Sequence, residues 1–315
     1  MSTRDSSRRS TLRLGTRRSR LAMAQSGAVA ATLIAEHARD VELVEVTTYG
    51  DVSTAPLEQI GGTGVFVSAL RDALLRGEVD LAVHSYKDLP TGLAPGLAVA
   101  AVPPRADPRD VLVARDGHTL GELPHGARVG TGSPRRVAQI RALGLGLDLV
   151  GVRGNVDTRL AKVDAGELHA VVLARAGLER LDRLDAVTEV LDPLQVLPAP
   201  GQGALAVECR EDDKELLELL AMLDDPDSRA ATAAERSLLE ALEAGCSAPV
   251  GGLAVVAEGD DGMELFLRGS VTAIDGSHAV RQSVIGSVTG AEEVGRRLAA
   301  DLLADGAADL MGARE

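Results

Sequence analysis

A chain of 315 residues is long enough for two or three domains, each with its own core. Its composition, 45% hydrophobic and 25% charged, is that of a folded globular protein; with only 1% aromatics the cores must be Leu, Val, Ala and Ile, and base stacking is disfavoured. The net charge of −14 arises wholly in residues 211–315, which hold 8 Lys and Arg against 22 Asp and Glu, and this argues against a nucleic-acid partner.

The segment "SSRRSTLRLG" has a twin-arginine look, but Arg17, Arg18 and Arg20 interrupt any apolar stretch after it. It reads as a frayed start, with export as the alternative. Strands are expected at "VELVEVTTY" (41–49), "VDLAVHS" (79–85) and "LAVAAVP" (97–103), and helices at 20–38 and 66–77. "PPRADPRD" (103–110) is a polar crossover. A second series follows, with strands at 111–115, 127–132, 147–154 and 168–174 and helices starting near Ser133 and Asn155. "LPAPGQG" (197–203) is a punctuated linker before the strand "ALAVECR" (204–210). The last third has a helix at "ELLELLAML", a long helix ending at Gly245, strands near "LAVVAE" and "LFLRGSVTA", and a final helix "EEVGRRLAADLLADG". Repeated strand–helix alternation predicts mainly parallel sheets in two α/β lobes, with ligands at the carboxyl ends of strands in a cleft between them. No run of 18 apolar residues predicts a membrane helix, and two cysteines suit a reducing compartment.

Polar groups gather at those strand ends. In "LGTRRSRLA" Gly15 turns the chain, Arg17 projects and Ser19 caps the next helix. In "VGTGSPRRVAQI" Gly130 and Gly132 permit a tight turn, Ser133 is an N-cap, Pro134 fits the first helical turn, and Arg135 and Arg136 complete an anion site. In "GVRGNVDTRLAKV" Arg153 ends a strand and Arg159 sits in the first helical turn; Arg180 stands in "AGLERL". Each arginine alone reads as a solvated residue paired with a nearby acid. Together they read as carboxylate or phosphate clamps. Lysine occurs only at Lys87, Lys162 and Lys214, so "HSYKDLP" stands out: Lys87 and Asp88 follow a buried strand, either as an exposed polar turn or as a carboxylate able to steady a cation. His84 reads as a packed strand residue. No metal-ligand spacing, GxxxxGK[ST] or complete GxGxxG is present, so no metal is expected. Cys209 reads as core. Cys246, in "EAGCSAPVGG", is either a small packed residue at a helix end or a reactive thiol.

"VHSYKDLP", "GTGSPRR", "RGNVDTRL", "LPAPGQGALAVECR" and "AERSLLEALEAGCSAPVGG" together resemble the porphobilinogen deaminase family, in matching order and spacing from about residue 12 to the C-terminus. The resemblance implies an α/β protein of three domains: two α/β lobes like type II periplasmic binding proteins, at 1–103 with 203–221 and at 108–198, and a smaller C-terminal α/β domain at 226–315. It implies a dipyrromethane cofactor joined to Cys246 through a thioether, which resists hydrolysis through repeated turnovers. Four porphobilinogens would be added head to tail, each losing ammonia, and water would release linear hydroxymethylbilane. Asp88 would be the catalytic carboxylate. Lys87, Ser85, Ser133, Arg135, Arg136 and Asp88 would contact the cofactor, and Arg17, Ser19, Arg153, Arg159, Arg180 and Gln202 the substrate and growing chain. Each porphobilinogen carries an acetate and a propionate, which gives so many arginines a reason. Gln59, Thr63 and Ser68 depart from the family, which often has lysines in that loop, though Gly61, Gly62 and Gly64 favour a flexible lid. The resemblance implies a cytoplasmic monomer without nucleic-acid or membrane partners. The competing reading is a non-enzymatic binder of small carboxylates or oxyanions.

Overall fold

In the computed structural model the described residues are 11–47, 64–92, 94–243, 248–259 and 262–311, with the backbone alone for 64–66. The chain divides into two compact units: Met1–His84 with Ala94–Ala101 and Leu205–Asp224, and Ser85–Leu93 with Val102–Ala204 and Asp225–Glu315.

The first unit is built on a five-stranded sheet in the order β2-β1-β3-β10-β4, from β1 (Leu12–Thr16), β2 (Val41–Glu45), β3 (Leu81–Ser85), β4 (Leu97–Ala101) and β10 (Leu205–Arg210). β1 runs parallel to β2 and β3, and β10 antiparallel to β4. One face buries Leu14, Leu81 and Val207 with Leu33 of α1 (Arg20–His37), and the other packs Ala82 and Leu97 with Leu70 and Leu74 of α2 (Gly64–Leu75). Cys209 is buried on the first face, as expected, and burial pushes its thiol up to about 11. Gly15 does not turn the chain. It lies inside β1, where an added Cβ would come within 3.1 Å of Leu70 and Val79.

The second unit holds two sheets. The first, in the order β7-β6-β8-β5-β9, comprises β5 (Asp110–Ala114), β6 (Arg128–Gly130), β7 (Asp148–Val150), β8 (Ala170–Ala174) and β9 (Glu189–Val190). Alternate residues of β5 and β8 feed two cores: Leu112, Ala170 and Val172 face one side, Val111, Val113, Val171 and Leu173 the other. α3 (Pro134–Ala142) supplies Ile140 to the first core, and α4 (Val156–Asp164) supplies Leu160 and Val163 to the second. β6 is parallel to β7 and β8, but β5 is antiparallel to both β8 and β9, so both five-stranded sheets are mixed rather than mainly parallel. β7 ends at Val150, so Arg153 lies beyond the strand it was expected to end.

The remaining sheet is an antiparallel meander of β11 (Val250–Gly259), β12 (Gly262–Thr272) and β13 (Ala279–Ser287). Its apolar face, with Leu265, Leu267 and Val271, packs on Leu238 of α7 (Pro226–Ala241) and on Leu298 and Leu302 of α8 (Ala291–Ala304). Short helices α5 (Arg175–Glu179), α6 (Lys214–Ala221) and α9 (Ala307–Leu310) complete the fold. α7 ends at Ala241, four residues before the expected stop at Gly245, which lies outside the described residues.

Candidate active site

The buried strand β3 leads into one turn of 3-10 helix, Tyr86–Asp88, which carries Lys87 and Asp88. This turn groups with the second unit rather than with its own strand. The cause is the set of bonds it makes there. Tyr86 N donates to Ala204 O at 3.0 Å, and Lys87 Nζ donates to Gln202 Oε1 at 3.2 Å. Arg236 of α7 lies over the Tyr86 ring at 4.5 Å and donates to Leu89 O at 2.9 Å and Pro90 O at 2.6 Å. The backbone on either side of Asp88 is therefore held by a helix far away in sequence.

Asp110, the first residue of β5, is the hub of the cluster. It is fully buried, and Arg135 Nη2 and Arg136 Nη2 each donate to one of its oxygens at 2.7 Å. Gln202 Nε2 adds a third bond of 2.7 Å and also donates to Pro108 O. Burial works against the Asp110 charge, but the two guanidiniums outweigh it and hold the carboxyl well below its usual range. Arg135 also donates to Leu197 O, and Arg136 to Val172 O. Read singly as solvated arginines paired with a nearby acid, they are not solvated, at 3% and 6% exposure, and the acid they pair with is the buried Asp110. Both keep a buried Nε without a hydrogen-bond partner. Gln202, expected to meet substrate, is 1% exposed with both amide hydrogens engaged, and it bridges Lys87 to Asp110.

The electrostatics show how close these cations are. Burial pushes the half-buried Lys87 ammonium down to about 8; Asp88 and Asp110 act to raise it, Arg136 and Arg135 to lower it. Burial and Arg136 lower the Arg159 guanidinium as well. Lys87, Arg135 and Arg136 thus feel one another around two carboxylates, Asp88 and Asp110, and Arg159 joins them through Arg136.

Local sequence explains how α3 and α4 are aimed. Ser133 caps α3 with Pro134 in its first turn, and Asn155 Oδ1 caps α4 by accepting from Thr158 N at 2.8 Å. Gly130 and Gly132 are needed for close approach rather than for a left-handed turn: a Cβ on Gly130 would come within 2.5 Å of Val152 Cγ2, and one on Gly132 within 2.9 Å of Val152 O. Arg159 Nε donates to Gly154 O at 2.9 Å. Arg180, its guanidinium pushed down by burial, donates to Gly203 O at 2.6 Å. Arg153 is exposed in the loop before α4, and Ser85 is half-buried at the end of β3. Arg17 and Ser19 belong to the first unit, where Ser19 Oγ accepts from Ala22 N and caps α1. Cys246, Gln59 and Thr63 lie outside the described residues; Ser68 falls within α2.

Sequence reasoning missed Asp110, Arg236 and Glu235. Asp110 had a readable signal: an acid opening the wholly buried strand "DVLVA" demands a cationic partner. Glu235, fully buried in α7, accepts from Arg105 Nη1 at 2.7 Å, Arg105 Nη2 at 2.9 Å, Gly201 N at 2.6 Å and Ala254 N at 2.8 Å. It fastens the 198–203 linker to both α7 and β11. Among the described residues no His/Cys/Asp/Glu group could hold a metal ion, and no helix is long and apolar enough to cross a membrane.

Fold and site together define an α/β protein whose clustered cations outnumber the carboxylates among them, suited to small molecules bearing several carboxylates. Residues 12–218 match the model of "porphobilinogen deaminase, dipyromethane cofactor binding domain", and residues 229–304 that of "porphobilinogen deaminase, C-terminal domain". The chain belongs to the porphobilinogen deaminase family. It is 61% identical to porphobilinogen deaminase 1 of Streptomyces coelicolor over 96% of this chain and 98% of that one. To the porphobilinogen deaminase of Nocardia farcinica it is 61% identical over 95% and 88% of the two chains. To that of Mycobacterium tuberculosis it is 59% identical over 95% and 98%. Among solved structures it is similar to a periplasmic substrate-binding protein of an ABC transporter from Coxiella burnetii, at 13% identity, 72% and 97% coverage and a TM-score of 0.43, a distance at which no argument carries over.

Proposed function

We propose that this chain condenses four porphobilinogen molecules head to tail into linear hydroxymethylbilane, releasing ammonia at each addition, in tetrapyrrole biosynthesis. Family membership supports the reaction. The structural observation that carries it is the excess of cations at Lys87, Arg135, Arg136 and Arg159 over Asp88 and Asp110. Substrate and product are both polycarboxylates, and this excess fits them.

The same cluster fits the family's dipyrromethane, which would bring four carboxylates. Lys87, Ser85, Ser133, Arg135 and Arg136 are the residues we assign to it, with Cys246 as its thioether anchor. When bound, that group supplies the pyrrole carbon to which incoming units are joined. Arg153, Arg159 and Arg180 are assigned to substrate carboxylates, and Arg17 and Ser19 from the first unit likewise. Gln202 keeps Lys87 and Asp110 in register, and we assign it with Lys87 to the substrate contacts.

Asp88 is the reacting group of the chain. As the aminomethyl C–N bond of porphobilinogen breaks and ammonia leaves, positive charge spreads over the pyrrole; a fixed carboxylate steadies it and accepts the ring N–H. Lys87 beside it holds substrate or cofactor carboxylates. We place the protein in a reducing compartment, the cytoplasm, on its sparse cysteine usage, and read it as a monomer of three domains at 1–103 with 203–221, 108–198 and 226–315. A mere carboxylate binder is not favoured, since neither the family nor a half-buried Asp88 among cations is needed for it.

The test is the intact mass of the purified chain beside a Cys246→Ala variant, followed by turnover of Asp88→Asn. The wild type should carry an excess of two pyrrole units that the Ala variant lacks. Asp88→Asn should keep that mass and lose nearly all ammonia release. Wild-type rates in Asp88→Asn would overturn the role given to Asp88, and a chain that neither carries nor acquires pyrrole mass from porphobilinogen would overturn the reaction.

A further inference from the structure

The three-stranded sheet uses one face for its helices, and the other carries a second cluster. In the β12–β13 register Arg268 pairs with Ser283 and Ser270 with Arg281. Residues two apart on a strand share a face, so these four side chains form a square with the two arginines on one diagonal and the two serines on the other. Leu265, Leu267 and Gly269 point the opposite way, into the helices: a Cβ on Gly269 would meet Leu298, Leu238 and Leu302 at about 3 Å. Diagonal neighbours on an antiparallel pair have their Cβ atoms about 7–8 Å apart or slightly less, so two arginines there can converge on one ligand.

The square opens on a cavity of about 250 Å³, walled on its other side by Pro193, Leu194 and Leu197. That wall is fixed, because the Gln139 amide both donates to Leu197 O and accepts from Leu197 N. Arg281 Nη1 donates to Leu194 O at 3.1 Å, and Arg268 lies 5.4 Å from the Phe266 ring, so each guanidinium is oriented. Neither is paired with a carboxylate among the described residues, and no carboxylate lines the cavity. This is unusual in residues 211–315, where acids outnumber bases 22 to 8.

A separate observation points to a ligand. Ser270 lines the cavity at 1% exposure, and its buried hydroxyl has no hydrogen-bond partner. A buried hydroxyl left unsatisfied is costly, and such groups are usually paired. Gly251, opposite Ser270 on β11, preserves the space beside it: a Cβ there would stand 3.0 Å from Ser270 Oγ and from Leu197.

We propose that Arg268, Arg281 and Ser270 form a second anion site, for a small organic carboxylate whose short apolar chain lies on Pro193, Leu194 and Leu197. The arginines take the carboxylate through charge-assisted bonds, and the Ser270 hydroxyl donates at its edge. A cavity of this size suits a dicarboxylate such as glutarate. The site is independent of Asp88 and of the proposed reaction.

Isothermal titration of glutarate, and of neutral glutaramide, into the full-length protein tests this at low ionic strength. Glutarate should bind saturably and glutaramide should not. Arg268→Ala and Arg281→Ala should each weaken binding at least tenfold and leave ammonia release unchanged. Ser270→Ala should weaken it severalfold while Tm stays the same or rises, since no protein partner is lost. Absence of saturable glutarate binding would overturn the site. So would binding that both arginine variants leave intact, which would put glutarate in the Lys87–Arg136 cluster, and so would equal binding of glutaramide.

Discussion

Lys87 shows what a single side chain contributes to this site. Burial lowers its ammonium from an ordinary 10.5 to about 8, with Asp88 opposing the shift. The sign follows directly. The unfolded chain still binds that proton between about pH 8 and 10.5 when the folded chain has lost it, so burying Lys87 costs stability below pH 8, and the cost fades as pH rises through that window. Carboxylate binding runs the other way, because it needs the charge that is lost above pH 8. Affinity of the Cys246→Ala chain for porphobilinogen should therefore fall as pH rises through about 8. Lys87→Arg, which stays charged, should flatten that fall. Calorimetric titration across this range checks it, and an affinity of the Cys246→Ala chain flat with pH would remove Lys87 from the carboxylate contacts. Lys87 and Asp88 were legible in sequence because lysine is so scarce here; Asp110 could be read as an acid in need of a cation, but its partners were not legible, because Arg135 and Arg136 lie 25 and 26 residues away.

Among the elements, α7 does most to organise the site. Arg236 grips the Tyr86–Pro90 turn, while one turn's neighbour Glu235 binds Arg105 and the backbone of Gly201 and Ala254. Glu235→Gln would leave the Arg105 guanidinium, 10% exposed, beside a neutral amide. Breaking a buried pair this way costs about 3–5 kcal/mol, and Arg105→Met in the same chain should restore part of it. Urea unfolding of the single and double variants measures both; a double variant no more stable than Glu235→Gln would mean the backbone bonds, not the ion pair, carry the loss. Elements fixed by local chemistry were legible: Ser19, Ser133 and Asn155 cap their helices as their side chains predict. β13 was missed because its residues are mostly exposed and carry no apolar run. The antiparallel course of β5 was missed because it depends on β8, some 60 residues on, and not on the strand–helix alternation around it.

A net charge of −14 describes the whole molecule poorly, for its charges are sorted. The acids crowd residues 211–315, while Lys87, Arg135, Arg136 and Arg159 gather around two carboxylates. Such an unloaded site stores like-charge repulsion, and a covalently held group with four carboxylates would relieve it. The loaded wild type should therefore melt a few degrees above Cys246→Ala: the thioether keeps the group on the unfolded chain too, but its carboxylates meet the clustered cations only when the chain is folded. Salt should narrow that gap from below. Raising ionic strength from 0.1 M to 1 M shortens the screening length from about 10 Å to about 3 Å, which weakens repulsion among the bare cations and leaves a neutralised site less to gain. Calorimetric melting of both chains at the two salt concentrations separates this from a simple loss of packing, which salt would not restore. Equal melting temperatures, or equal salt responses, would mean that Asp88 and Asp110 already balance the cluster, and the polycarboxylate would then owe its place to shape and to Cys246 rather than to charge.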